Sequence, residues 1–445
     1  MTEAVSVGSA AGDRPGSGYL RGSAGYRRLV AAVWAAGVGT FTLLYAPQAL
    51  LPLLSASFDV PASTAALSVS VASGALALAL LPMSALAHRW GATRVMTVAL
   101  SVAAVLGLLA PLSPSFHVLL AVRALEGVAI AGLPALAMAH VSQEVHRSAV
   151  GGAMGLFVAG NTVGGLSGRL IASVAADVAG WRAGFAAVGV LALACVLAFR
   201  LLLPAPAAQA APAAALPGGV QLWSHLRDPG IRALCGVSFV LMSAFATVYN
   251  YLGYRLLAPP FELSQTLVGL VFLTYLTGTA CAPLAGGLGD RVGRRAVLWT
   301  TVLLGLAAVL LTLSDTLWLV LLGLALFTVS FFSAHTTASG WVGGRATTGR
   351  AQASALYLLT YYAGASIGGW VGGLVFERGG WPGVVLYVVA LLLTALALAL
   401  VLRRTPALAA PDAPPSRPAA AAARGDTTAR SVGTKHARRG ASLAG

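Results

Sequence analysis

Twelve apolar runs, each of a length suited to crossing a bilayer, pass through this chain almost without ionisable side chains, and the clearest exception is a pair three residues apart, Arg123 and Glu126. A helix needs roughly 20 apolar residues to cross the ~30 Å hydrocarbon core. An Arg or an acid at the centre of such a helix costs roughly 2.5–3.5 kcal/mol on insertion scales, so a charge kept there reads first as functional. With 58% hydrophobic and 9% charged residues and a mean hydropathy of +0.83, the chain lacks the polar residues that would coat a soluble domain of its size. The fold class is therefore all-α integral membrane, with twelve transmembrane helices expected near 29–52, 64–87, 95–112, 117–140, 150–173, 183–203, 232–254, 266–286, 296–313, 317–342, 351–375 and 382–402.

The net charge of +15 could suggest a nucleic-acid partner, but its placement argues otherwise. Of 28 Lys and Arg, 23 fall on one side of these spans, three on the other (Arg182, Arg255 and Arg378) and two inside helices (Arg123 and Arg169). That asymmetry places both termini in the cytoplasm. Cys195, Cys235 and Cys281 lie in apolar runs and read as packing residues. The first run reads as an uncleaved helix, not a cleaved signal.

Residues 1–28 read as a cytoplasmic tail, 29–203 as an N-terminal six-helix half, 204–231 as a cytoplasmic linker opening on an Ala/Pro tract, and 232–402 as a C-terminal half. Residues 403–445, basic and without apolar periodicity, read as a disordered cytoplasmic tail, either solvated or touching anionic lipid. The halves echo each other. AGNTVGGLSG at 159–168 and AGASIGGWVG at 363–372 share their Ala and all four Gly at a shift of 204 residues. Gly180-Trp181 recurs as Gly380-Trp381 at a shift of 200, and LAHRWG at 86–91 recurs as LGDRVG at 288–293 at a shift of 202. Two six-helix repeats in one orientation are the plan of a transporter whose substrate site lies between the halves.

On these residues, over about 25–404, the chain resembles the major facilitator superfamily, in particular its bacterial twelve-helix, proton-linked exporters. GGLGDRVGRR at 286–295 is similar to that family's loop signature between the second and third helices of a half, which implies a gating loop of Asp290, Arg291, Gly293 and Arg294; a merely solvated basic loop is the alternative. The N-terminal copy, SALAHRWGAT, departs from the pattern: His88, beside Arg89, replaces the Asp, by pH-sensitive adaptation or by simple degeneration.

Arg123 and Glu126 share one helix face, and the resemblance links an Arg at that position to proton transfer. Burial opposes ionisation of Glu126 and Arg123 supports it, a balance suited to a proton carrier; a static ion pair is the alternative. Gly160, Gly164 and Gly168, and their counterparts Gly364, Gly368 and Gly372, give two helices flat faces for close packing. The exporters' fifth-helix motif, which reports antiport, usually has Gly-Pro where this chain has Gly160-Asn161, and Asn161 becomes a cavity candidate. Arg169 is placed one turn from a helix end, where snorkelling accounts for it.

Repeat logic points to helices 1, 4, 7 and 10 as the cavity lining, with Tyr45, Gln48, Tyr249, Asn250, Phe331 and His335 as further candidates for an amphipathic organic substrate. The partners expected are that small molecule, protons and the lipid bilayer of a bacterial inner membrane, with the protein a monomer. No cofactor, metal or enzymatic activity is expected, and no phosphate-binding GxxxxGK[ST] loop is present. Rival readings are proton symport or facilitated uptake, an intramembrane serine protease built on Ser167 and His335, and a receptor without flux.

Overall fold

A computed structural model describes residues 18–204, 220–346 and 349–404. The Ala/Pro tract of the linker and the basic C-terminal tail lie outside the described residues. The first half is built from α1 (Ala24–Phe58), α2 (Ala62–Trp90), α3 (Ala92–Leu109), α4 (Phe116–Ile130), α5 (Pro134–Glu144) and α6 (Val150–Leu202). After a short α7 (Val220–Arg227) come α8 (Pro229–Leu257), α9 (Gln265–Val271), α10 (Tyr275–Val292), α11 (Arg294–Leu311), α12 (Leu317–Arg345), α13 (Arg350–Ala363) and α14 (Gly369–Arg404).

Among the described residues nine helices are long and apolar enough to cross a membrane. Two of them, of 53 and 51 residues, each contain two crossings, because the chain leaves helical geometry at Gly180 (φ 75°) and Gly380 (φ 56°). The remaining crossing is α4 with α5, interrupted between Ile130 and Pro134. Pro134 accounts for the break, since it cannot donate to the preceding turn and its ring clashes with a carbonyl there. The repeat is visible in backbone detail. Gly91 and Gly293 both adopt positive φ (86° and 94°) and join consecutive helices through a backbone conformation that L residues rarely adopt.

The two Gly rows set the closest helix contacts. A Cβ on Gly160, Gly164 or Gly168 would collide with the α1 backbone at Trp34, Val38 and Thr42. In the second half Gly364 abuts Phe239 of α8, and Gly368 and Gly372 abut Ser243 and Thr247. At these approaches a hydroxyl bonds a carbonyl of the facing helix: Thr42 donates to Gly164 (3.0 Å), Ser243 to Gly364 (3.1 Å) and Thr247 to Gly368 (3.1 Å). In hydrocarbon, where apolar burial does not drive helices together, such contacts are the main source of association.

The halves meet at the end remote from Gly91 and Gly293. Glu377 accepts from the Ser63 backbone N–H (2.7 Å), and Asp177 accepts from the hydroxyl and N–H of Thr266 (2.6 and 3.4 Å). Ser63 and Thr266 are each the second residue of a helix, and Asp177 and Glu377 are 200 residues apart. Each half thus sets a carboxylate on a helix N-terminus of the other, where the helix dipole favours negative charge. Tyr254 adds bonds to the Leu51 carbonyl (2.9 Å) and the Ser55 hydroxyl (2.6 Å).

Candidate functional site

Arg123 and Glu126 lie inside the first half, at 1% and 0% exposure. The Arg123 guanidinium donates to Glu126 Oε2 (2.5 Å), to the carbonyls of Leu43 (3.1 Å) and Leu44 (3.0 Å) on α1, and to that of Ser68 (2.9 Å) on α2. Pro47 explains the first carbonyl. It has no N–H to return to the residue four positions earlier, so Leu43 is left with a free acceptor that Arg123 satisfies. Gly127 seats α4 against the Ala72 backbone of α2, closing the packet. Glu126 Oε1 is buried and has no hydrogen-bond partner.

A second charged centre sits on the other face of the same stretch of α1, and here a sequence expectation fails. Arg169 does not snorkel: it is 2% exposed. The helix drawn as ending at 173 continues to the kink at Ala179, so Arg169 lies about 15 Å inside that end at 1.5 Å per residue. Its Nε donates to Gln48 Oε1 (2.8 Å), one terminal nitrogen to the Gly165 carbonyl (2.6 Å) and the other to the Tyr275 hydroxyl (3.1 Å). Three rings surround it, with centroids 4.7 Å (Tyr45), 5.1 Å (Phe272) and 4.5 Å (Tyr275) from the guanidinium carbon. Phe272 and Tyr275 come from the second half, at a short 3₁₀ turn, Phe272–Thr274, that interrupts the helix beside Arg169.

Gln48 passes the connection on, its Nε2 donating to Asn250 Oδ1 (2.7 Å) on α8. Tyr45, half-buried, also lies close to Tyr361 of the second half. From Tyr361 an aromatic wall continues through His335 (centroids 4.8 Å apart) to Phe331 (5.9 Å) and Phe245 (3.9 Å). Tyr45, Gln48 and Asn250 therefore meet where the halves face each other, while Phe331 and His335 belong to the second-half wall that runs back from Tyr361. Tyr249 is turned into the second half, its hydroxyl bonding Thr274 (2.9 Å) and Thr328 (2.5 Å). Asn161 faces Gly37 of α1, with its Oδ1 unpartnered. Sequence reasoning missed Arg169, Phe272, Tyr275 and Tyr361; the signal for Arg169 was its charge inside an apolar run.

The remaining candidates lie elsewhere. Arg294 bonds Asp290 (3.4 Å) and the Gly340 carbonyl (2.7 Å), tying the loop to α12 of its own half; Arg291, His88 and Arg89 are exposed. Ser167 bonds the Gly164 carbonyl (3.2 Å), whereas His335 Nδ1 meets the Tyr357 hydroxyl (3.0 Å), so each member of the imagined protease dyad is engaged separately.

Known proteins place this architecture. Residues 29–261 and 234–443 match the Major Facilitator Superfamily. The inner membrane transport protein YnfM of Escherichia coli is 39% identical over 385 residues, covering 86% of this chain and 92% of that protein. The MFS-type transporter YybF of Bacillus subtilis is 36% identical over 390 residues, covering 87% and 96%. Among solved structures, a bacterial homologue of the human lysosomal transporter Spinster, in an inward-facing and occupied conformation, superposes with a TM-score of 0.72 at 16% identity, covering 86% of this chain and 98% of that one. A single-residue mutant of the nucleoside transporter NupG superposes with a TM-score of 0.65 at 16% identity, covering 84% and 99%. The chain belongs to the major facilitator superfamily of multi-pass membrane transporters.

Proposed function

We propose that this protein exports a small organic compound across a bacterial cytoplasmic membrane in exchange for protons, as a monomer, with Glu126 as the proton carrier and Arg123 as its partner. The halves at 29–203 and 232–402 rock against each other around the site between them. With the basic loops inside, the end closed by Asp177 and Glu377 is the outer gate, and the loops at His88-Arg89 and Asp290–Arg294 belong to the inner one.

The observation that carries the reading is the setting of Glu126: fully buried, with one oxygen on Arg123 and the other free of any partner. Both of its protonation states have support, the anion from Arg123 and the neutral acid from the apolar surroundings. When Glu126 takes a proton on Oε1, Arg123 loses its counter-charge and depends on the carbonyls of Leu43, Leu44 and Ser68. When the proton leaves, the ion pair re-forms. Because Leu43 and Leu44 precede Tyr45 and Gln48, which touch Arg169, Tyr361 and Asn250, a change at Glu126 reaches the contacts between the halves through the one turn of α1 that contains Pro47.

Purified protein in liposomes with an imposed pH gradient tests this. Vesicles acidic on the side facing the protein's outer end should drive a transported compound from the inner to the outer side, and collapsing the gradient should stop accumulation. Accumulation in the same direction as proton flow would favour symport instead, and flux indifferent to the gradient would rule out proton coupling.

A further inference from the structure

Arg169 is a buried cation with no anion. Among the described residues Arg169 forms no ion pair, whereas Arg123, Arg255, Arg294 and Arg345 are paired with Glu126, Asp315, Asp290 and Asp228. Its partners are an amide oxygen, a carbonyl, a hydroxyl and three ring faces, all uncharged. Ring faces and neutral acceptors offset part of the desolvation of a guanidinium, but a buried charge is ordinarily matched by an opposite one.

The donors around it are also in surplus. A guanidinium carries five N–H groups and three are engaged here, which leaves one on each terminal nitrogen. Asn250 Nδ2, two steps along the Gln48 bridge, is buried without an acceptor. The chain thus presents positive charge and unmatched N–H groups together, beside aromatic surface and between the two halves. The half-buried rings of Tyr45 and Tyr361 border the same place.

We propose that Arg169 holds the anionic group of the transported compound, and that the substrate class is therefore a small organic acid: a carboxylate on an aromatic or apolar body, with the body against Tyr45, Phe272 and Tyr275. This rests on reading the space between the halves as the substrate site. A carboxylate suits the guanidinium because it accepts two parallel N–H bonds at once. Tyr275 and Phe272 belong to the half opposite Arg169, so an anion bound there contacts both halves and stabilises the arrangement in which they approach.

The test is equilibrium binding to the purified full-length protein, read as a shift in its thermal unfolding midpoint. The probes are benzoate, phenylacetate and hexanoate, each against its neutral amide at matched ionic strength. At least one acid should raise the midpoint where its amide does not. Arg169→Gln should weaken that acid's binding at least about tenfold, and Arg169→Lys, which keeps the charge without the fork, should fall between. Amides that bind as well as acids, no response to any acid, or unchanged acid binding by Arg169→Gln would each overturn the proposal. The acid–amide comparison uses wild-type protein alone, so it decides the question even where Arg169→Gln does not fold. No gradient is involved. Acids that bind but are not driven by a pH gradient would remove proton exchange and leave the anion site standing, whereas gradient-driven flux without acid binding would do the reverse.

Discussion

Removing the two carboxylates at the closed end should open it by a predictable amount. Asp177 and Glu377 each cap the first turn of a helix in the opposite half, and these contacts exist only while that end is shut. A carboxylate at an exposed helix N-terminus is worth roughly 0.3–1 kcal/mol from the dipole. Both side chains reach solvent, so the larger values seen for buried charge-assisted bonds are discounted for screening and about 1 kcal/mol is taken per clasp. One such loss changes the ratio of closed to open states of that end about fivefold and two change it about thirtyfold. The two clasps share no residues, so their effects should add. Distances between spin labels at Val178 and Leu313, in a background lacking Cys195, Cys235 and Cys281, report the gate by pulsed electron resonance. Asp177→Asn and Glu377→Gln should each move the distribution towards longer distances, and the double variant should move it most. A double variant with the wild-type distribution, or single variants that shift it in opposite directions, would refute the clasp argument.

Two further consequences concern stability. Gly164→Val should lower the unfolding midpoint by an amount corresponding to about 2 kcal/mol or more, because its side chain would meet the Val38 carbonyl, while Gly155→Val on the same helix, where a Cβ meets open space, should be near neutral. Asp228 is partly withdrawn from water, which raises its pKa, but bonds from Arg345 and the Ile231 and Gly230 amides outweigh this and hold its carboxyl below the usual range. A depressed folded-state pKa stabilises above the unfolded value near 3.9 and is lost as pH falls through the folded one. Asp228→Asn keeps a capping oxygen but loses the charge that Arg345 bonds, so it should cost about 1 kcal/mol at neutral pH, with the difference from wild type shrinking below about pH 4; a gap that is constant with pH would contradict this origin.

Most of the helices were legible because hydropathy is a local property of the chain, and the duplication because Gly, Trp and charged residues recur at one offset. Arg123 and Glu126 were legible as a pair because helix geometry alone puts residues three apart on one face. What α1 offers them was not, since the free carbonyl made by Pro47 matters only once α4 packs beside it. Arg169 was visible as a charge but misplaced in depth: its helix runs on to Ala179, and six residues of error at the helix end separate a snorkelling Arg from a buried one. The clasps at Asp177 and Glu377 were in reach of the repeat, which aligns them at the same 200-residue offset as Gly180 and Gly380. Hydropathy gives no reason to single out acids at the ends of spans, so only contact between the halves reveals their role.

The most direct measurement compares Glu126→Gln with wild type in two assays on the same liposomes: exchange of a transported compound at equal pH on both sides, and its accumulation against a pH gradient. Gln keeps the size and one acceptor for Arg123 but cannot take or release a proton. The account predicts that exchange survives while gradient-driven accumulation disappears. Accumulation by Glu126→Gln at the wild-type level would contradict it and return Arg123 and Glu126 to a static ion pair.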